Sequence, residues 1–130
     1  MGDEENRAAV QRKWQACSHP GDLAGLDEVF HDDAIVDWPQ SGERVVGKAN
    51  ILEIHRNSPG LPTITPRRII GQGELWFTEQ IGDYGGRIYC GSSVFEVRDG
   101  KIARETDYFG EPFDAPAWRA PWVELEKPPS

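Results

Sequence analysis

RIYCGSSVFEVRDGKIARETDYF, residues 87–109, decides the fold. Two runs rich in β-branched and aromatic residues flank Asp99-Gly100, and an Asp-Gly pair between such runs is among the strongest short-range signals for a β-hairpin. One long hairpin is predicted. Its loop length matters because alternate strand residues face opposite sides, so a change of one residue re-pairs the faces. A two-residue loop, Asp99-Gly100, sets Tyr89, Ser93 and Phe95 beside Arg104, Thr106 and Tyr108. A three-residue loop with Gly100 left-handed in a bulge sets Tyr89, Gly91, Ser93 and Phe95 beside Ala103, Glu105, Asp107 and Phe109. The second is preferred, since it gathers two carboxylates, a hydroxyl and a phenol on one face with two phenylalanines, as a polar cluster inside an apolar cavity requires.

Upstream, Arg67 to Gly71 and Glu74 to Tyr84 also have strand composition. Alternation from Leu75 to Ile81 puts Glu79 on the face of Leu75, Phe77 and Ile81, and so predicts it to point inward. Nearer the start, Val10, Trp14 and Cys17 recur at helical spacing between Asp3 and Ser18. His19-Pro20-Gly21 ends that helix, and Asp22 suits the N-cap of a second one containing Leu23, Leu26, Val29 and Phe30. Ala34 to Trp38 reads as a short strand halted by Pro39, then Gln40 to Val46 as a loop or edge segment. Gly47 to Asn57 is a third helix with Ile51, Leu52, Ile54 and His55 inward. Helices first and a strand meander afterwards predict an α+β domain with an antiparallel sheet curled around helices.

The chain of 130 residues fits one core. Residues 1–126 are expected to form one domain and 127–130 a disordered tail. EPFDAPAWRAPW, residues 111–122, is too rich in proline for a regular element and too aromatic for a solvated tail; it is predicted as a strap packed on the body, over a cavity mouth or at a subunit interface. A net charge of −8 opposes binding to nucleic acid or anionic membrane. The start is charged and helical rather than a basic head before an apolar run, so a cytoplasmic location is expected. Cys17 and Cys90 lie far apart, without zinc or redox spacing, and read as buried free thiols. No phosphate loop, dinucleotide fingerprint or nucleophile elbow is present, so no cofactor and no metal are expected.

Gly21-Asp22-Leu23 with Phe30 and Asp32-Asp33-Ala34, then Gly47 opening the third helix, then Asp99-Gly100-Lys101-Ile102 leading to Tyr108-Phe109, resemble the superfamily of nuclear transport factor 2, ketosteroid isomerase and the SnoaL-like polyketide cyclases. The resemblance covers nearly the whole chain. It implies a cone-shaped barrel: a strongly bent, mixed, mostly antiparallel sheet wrapped around three N-terminal helices, with a pocket on the concave side. It also implies the three-residue loop, because relatives line the pocket at positions matching Ser93, Glu105 and Phe109. The carboxylate base of the isomerases matches Trp38 here, and their oxyanion donors match Lys13 or Trp14 and Ser93, so that arrangement is missing. The Asp-Arg-Asp group of limonene epoxide hydrolase fails as well, because Arg104 falls on the opposite face. The acid/base aspartate that SnoaL-like cyclases carry on the last strand matches Asp107. Such folds host isomerases, cyclases, dehydratases and binding-only modules alike.

Asp107, desolvated beside Phe109 and Trp38, is expected to have a raised pKa and to act as general acid/base. His55 is expected to orient it or carry the proton. Two residues from Asp107, Glu105 faces the same way, so one of the two carboxyls must stay protonated or meet a cation such as Lys13 or Arg119. Tyr89 and Ser93 are read as donors to a carbonyl, Trp38, Trp14, Phe109 and Glu79 as further pocket wall. The expectation is a small hydrophobic carbonyl ligand in a homodimer, with cofactor-independent cyclisation, isomerisation or dehydration; the competing expectation is a non-catalytic ligand-binding or interaction module.

Overall fold

The computed structural model describes residues 2–126. Helix α1 (Asp3–Cys17) begins on Asp3, Glu4 and Glu5, acids that complement the unpaired N–H groups and dipole of its first turn. Its inner face carries Val10, Trp14 and Cys17, all buried, whereas the other cysteine, Cys90, is exposed and not buried as expected. Helix α2 (Leu23–Val29) is capped as its sequence predicts: the Asp22 carboxylate accepts from the Gly25 N–H at 3.0 Å. The chain passes from α2 into β1 (Phe30–Trp38) without a loop, and β2 (Glu43–Val46) pairs back on it as an edge strand. Helix α3 (Lys48–Asn57) follows Gly47, whose φ of 90° favours glycine.

Strands β3 (Thr63–Gln72), β4 (Leu75–Tyr84), β5 (Arg87–Arg98) and β6 (Lys101–Gly110) complete one six-stranded sheet of order β2-β1-β6-β5-β4-β3. The β1–β6 pair is parallel and every other pair antiparallel, the mixed pattern expected, and the sheet curls about the helices without closing. Strand β3 starts earlier than composition indicated and includes Pro66. It tolerates the proline because β3 is an edge strand whose pairing shifts between Pro66 and Arg68. Buried Asn6 ties α1 to two turns at once, donating to the Gly73 carbonyl at 2.8 Å and accepting from the Gly100 N–H at 3.2 Å.

Three expectations are corrected. The loop between β5 and β6 has two residues, not three: Arg98 pairs with Lys101, and Asp99 and Gly100 both take positive φ, 55° and 74°, as a type I′ turn demands. The inward face nevertheless carries Phe95 opposite Glu105 and Ser93 opposite Asp107, because Val97 pairs with Ile102 but Glu96 with Arg104, leaving Ala103 as an extra bulged residue. Glu79 points outward, bridged to Arg68 at 3.2 Å. Pairing sets Trp76 against Phe95 and Thr78 against Ser93, so the even residues of β4 take the core and Leu75, Phe77 and Glu79 take the convex side.

The strap is not packed on this chain's body. It forms a short 3-10 helix (Ala117–Trp122), with Trp118 74% and Trp122 77% exposed, and neither residue lines the cavity. Residues 127–130 lie outside the described residues.

Phe95 is fully buried and meets Trp14 edge-on at 5.8 Å between ring centres, joining sheet to helix. Its truncation in Phe95→Ala is expected to cost about 3–5 kcal/mol, read as a lowered midpoint in urea unfolding.

Candidate functional site

Between the concave face and the helices lies a cavity of about 270 Å³. Helix α1 contributes Lys13, Trp14 and Cys17; α3 contributes Ile51, Ile54 and His55; β1 contributes Val36 and Trp38; β6 contributes Glu105 and Asp107. Each side chain arrives by its element's own period. Lys13 and Cys17 stand one turn apart on α1, as Ile51 and His55 do on α3, while Glu105 and Asp107 share one face of a strand.

Asp107 is the terminus of a one-way hydrogen-bond chain. Trp14 Nε1 donates to Thr78 Oγ1 (3.2 Å), Thr78 Oγ1 to Gln80 Oε1 (2.7 Å), Gln80 Nε2 to Ser93 Oγ (2.8 Å), and Ser93 Oγ to Asp107 Oδ1 (2.6 Å). An indole can only donate, so every hydroxyl in the chain is oriented, and the last acceptor receives a proton it cannot return. Trp38 Nε1 donates to the other oxygen, Oδ2, at 3.0 Å. Two fixed donors on its two oxygens make Asp107 the carboxylate.

Glu105 is the complementary case. Lys13 Nζ donates to Glu105 Oε2 at 2.7 Å, with Glu105 1% and Lys13 5% exposed. Glu105 Oε1 is buried and accepts from nothing among the described residues. An acid O–H at Oε1 resolves that orphan, since Asp107 lies within hydrogen-bond reach to accept it. One lysine then faces one net negative charge. Burial first, and then the negative charge on Asp107, push the Glu105 carboxyl well above the usual range. For Asp107 burial pushes upward too, but the Lys13 ammonium and the bonds from Glu105, Ser93 and Trp38 outweigh it and hold the carboxyl below its ordinary value. The raised value expected for Asp107 therefore belongs to Glu105. Burial alone would lower Lys13; the surrounding acidic groups reverse that and keep it charged, its ammonium resting 3.6 Å from the centre of the Trp14 ring.

His55 lines the cavity with its Nδ1 3.0 Å from the Ile51 carbonyl. A carbonyl only accepts, so Nδ1 carries the hydrogen and the Nε2 lone pair is left as the acceptor. Burial lowers its pKa, so the ring is neutral near pH 7. Ser93, expected as a donor to a carbonyl, spends its one proton on Asp107 and is fully buried, so it holds that carboxylate and is not exposed to the cavity. Tyr89 and Phe109 are not part of this cavity; they line a second hollow beside it. Sequence reasoning missed Thr78 and Gln80, because alternation on β4 was read in the wrong phase. Their signal was two polar side chains on the same face as Trp76. Among the described residues no cluster of three metal-ligating side chains occurs, and no helix is long and apolar enough to cross a membrane.

A curled α+β sheet that holds a cavity against its helices, with acids on the last strand, is the layout of a SnoaL-like domain. Residues 10–105 match the family model of that description, and the chain belongs to this family. It is similar, at 42% identity over 98% of this chain and 99% of the other, with a TM-score of 0.82, to an NTF-2-like protein of unknown function from Burkholderia xenovorans LB400. A putative ketosteroid isomerase from Kribbella flavida DSM 17836 aligns over 98% of this chain and 95% of its own at 25% identity and a TM-score of 0.86. An LEH-like epoxide hydrolase from M. tuberculosis shares the fold at 24% identity, with 82% and 84% covered and a TM-score of 0.72.

A glutamine at 105 reproduces both bonds of a protonated Glu105, accepting from Lys13 and donating to Asp107. Glu105→Gln is expected to stay within about 1 kcal/mol of the parent at pH 7, whereas Lys13→Met, which strands a buried negative charge, should cost about 3–5 kcal/mol in urea unfolding. With a folded pKa above its unfolded one, Glu105 contributes stability in full below about pH 4.3 and loses it as pH rises through the raised value. That alkaline loss should vanish in Glu105→Gln. Asp107 works in the opposite sense: its contribution is present above about pH 3.9 and fades as pH falls through its lowered value.

Proposed function

We propose that this SnoaL-like protein binds a small apolar carbonyl compound in the 270 Å³ cavity and moves a proton on it, without a cofactor, by general acid/base catalysis. The observation that carries the proposal is the paired state at the cavity wall: a carboxylate held ionised by two donors beside a carboxylic acid held neutral. Neighbouring titratable groups pushed in opposite directions are the usual mark of divided acid and base roles.

Asp107 takes a proton from the carbon next to the carbonyl, and the electron pair moves onto the carbonyl oxygen. The charge lost from Asp107 reappears there, within the field of Lys13, which faces the same cavity. The proton is then returned from Asp107 to a different atom, which makes the sequence an isomerisation, or the activated carbon closes on a second carbonyl in an aldol-type cyclisation, whose new alkoxide oxygen takes the proton back from Asp107. Glu105 modulates Asp107 by sharing its proton, and the Nε2 of His55 is placed to accept from a ligand hydroxyl or to carry a proton. The Kribbella relative's description as a putative ketosteroid isomerase supports carbonyl chemistry as the class. The base itself stands elsewhere, because Trp38 occupies the position matching the isomerase carboxylate.

The proposal is tested on a panel of cyclic ketones with Asp107→Asn as the control. Conversion of at least one ketone by the parent and a fall of about 10²–10⁴-fold in Asp107→Asn are expected. Retained turnover in that variant removes Asp107 as the base, and binding without conversion across the panel favours a ligand-binding module.

Association into a homodimer is part of the proposal. Ile70, Leu75 and Phe77 on the convex face and Phe113, Trp118, Trp122 and Leu125 on the C-terminal arm are all exposed large apolar side chains. Light scattering at micromolar concentration is expected to give twice the 14.6 kDa of one chain; a mass of one chain refutes it.

A further inference from the structure

Beside the inner cavity lies a second hollow of about 580 Å³ at the open end of the sheet, and the two share Trp14, Ile64, Tyr84 and Asp107 as walls. Two glycines in strand interiors form part of its wall. Gly82 on β4 and Gly91 on β5 both line this hollow, and neither has the positive φ that would call for glycine on conformational grounds. A Cβ at Gly82 would stand 3.3 Å from the Ile64 Cδ1, and one at Gly91 would stand 3.1 Å from both the Gln80 Nε2 and the Tyr108 carbonyl. Glycine weakens a strand, and inside one it marks a place where something must approach closely.

The flanking walls are flat and aromatic. Tyr84 and Tyr89 meet edge to face at 5.3 Å, Arg87 lies over the Tyr89 ring at 5.3 Å and is itself held by Glu111, and Phe109 is 47% exposed at the rim. Tyr89 and Phe109, predicted as ligand contacts but absent from the inner cavity, line this hollow.

We infer that the ligand is two-lobed: a carbonyl-bearing ring in the inner cavity, continuing past Asp107 into an aromatic or conjugated arm seated between Gly82, Tyr84 and Tyr89. This rests on the proposed function above and names its substrate class as elongated carbonyl compounds, with the reacting carbon at the junction where Asp107 faces both chambers.

Isothermal calorimetry of 1-tetralone and 6-phenyl-1-tetralone tests it by binding alone. The phenyl-bearing ketone is expected to bind the parent at least about tenfold more tightly, the gain from burying one ring. In Gly82→Val, which fills the outer chamber, that advantage should shrink below about threefold, while 1-tetralone, held in the inner cavity that Gly82 does not line, should lose no more than about twofold through the shift the new side chain forces on the shared wall Ile64. Tyr89→Ala, which removes a wall at a half-buried position, should cut the advantage as well, and it serves if the valine variant does not fold. Equal affinity of the two ketones in the parent, or an advantage surviving both variants, overturns this inference alone. Failure of both ketones to bind overturns it together with the reading on which it rests.

Discussion

A single buried lysine facing a buried carboxyl, Glu105, and a half-buried one, Asp107, is the constraint on which the site depends. Charges removed from water are costly unless compensated, and Lys13 can compensate only one of Glu105 and Asp107. Which one is settled by hydrogen-bond direction rather than by distance. Asp107 receives donors at both oxygens, from Ser93 and from Trp38, whereas Glu105 receives only Lys13 and keeps a bare Oε1. The lysine's nearest carboxyl is thus the neutral one, and the ionised one is held by the sheet.

The chain from Trp14 through Thr78, Gln80 and Ser93 shows how a fold holds a carboxylate ionised from the side away from the cavity. Its four donors lie on α1, β4 and β5, and the acceptor lies on β6. Local dielectric is low there, so each polarised bond strengthens the next. The same residues close the core: Trp14 packs on Phe95 at one face while its N–H starts the chain. Packing and acid/base poise therefore cannot be varied independently at this position.

Family membership settles the scaffold and leaves the chemistry to the site, as this type of fold hosts many activities. The relative at 42% identity is itself described only by its fold. In this chain the site sets its acids on β6 near Trp38 of β1, and Gly82 and Gly91 line the adjoining hollow.

Local sequence determined the elements: helical spacing in α1, the Asp22 cap, the Pro39 stop and the Asp-Gly turn are each short-range physics acting within a few residues. The parity of the hairpin was legible too, through the company that Glu105 and Asp107 keep with Ser93 and Phe95. Its mechanism was not, because the type I′ turn and the bulge at Ala103 each shift the register and their sum restores the face. The phase of β4 could not be read from its own residues, since Trp76 and the pair Leu75 and Phe77 compete for the core and only pairing to β5 chooses between them. Protonation lay furthest from the sequence: Glu105 and Asp107 are chemically alike two residues apart, and what separates them is which donors, Lys13 for one and Trp38 and Ser93 for the other, the tertiary structure brings to each.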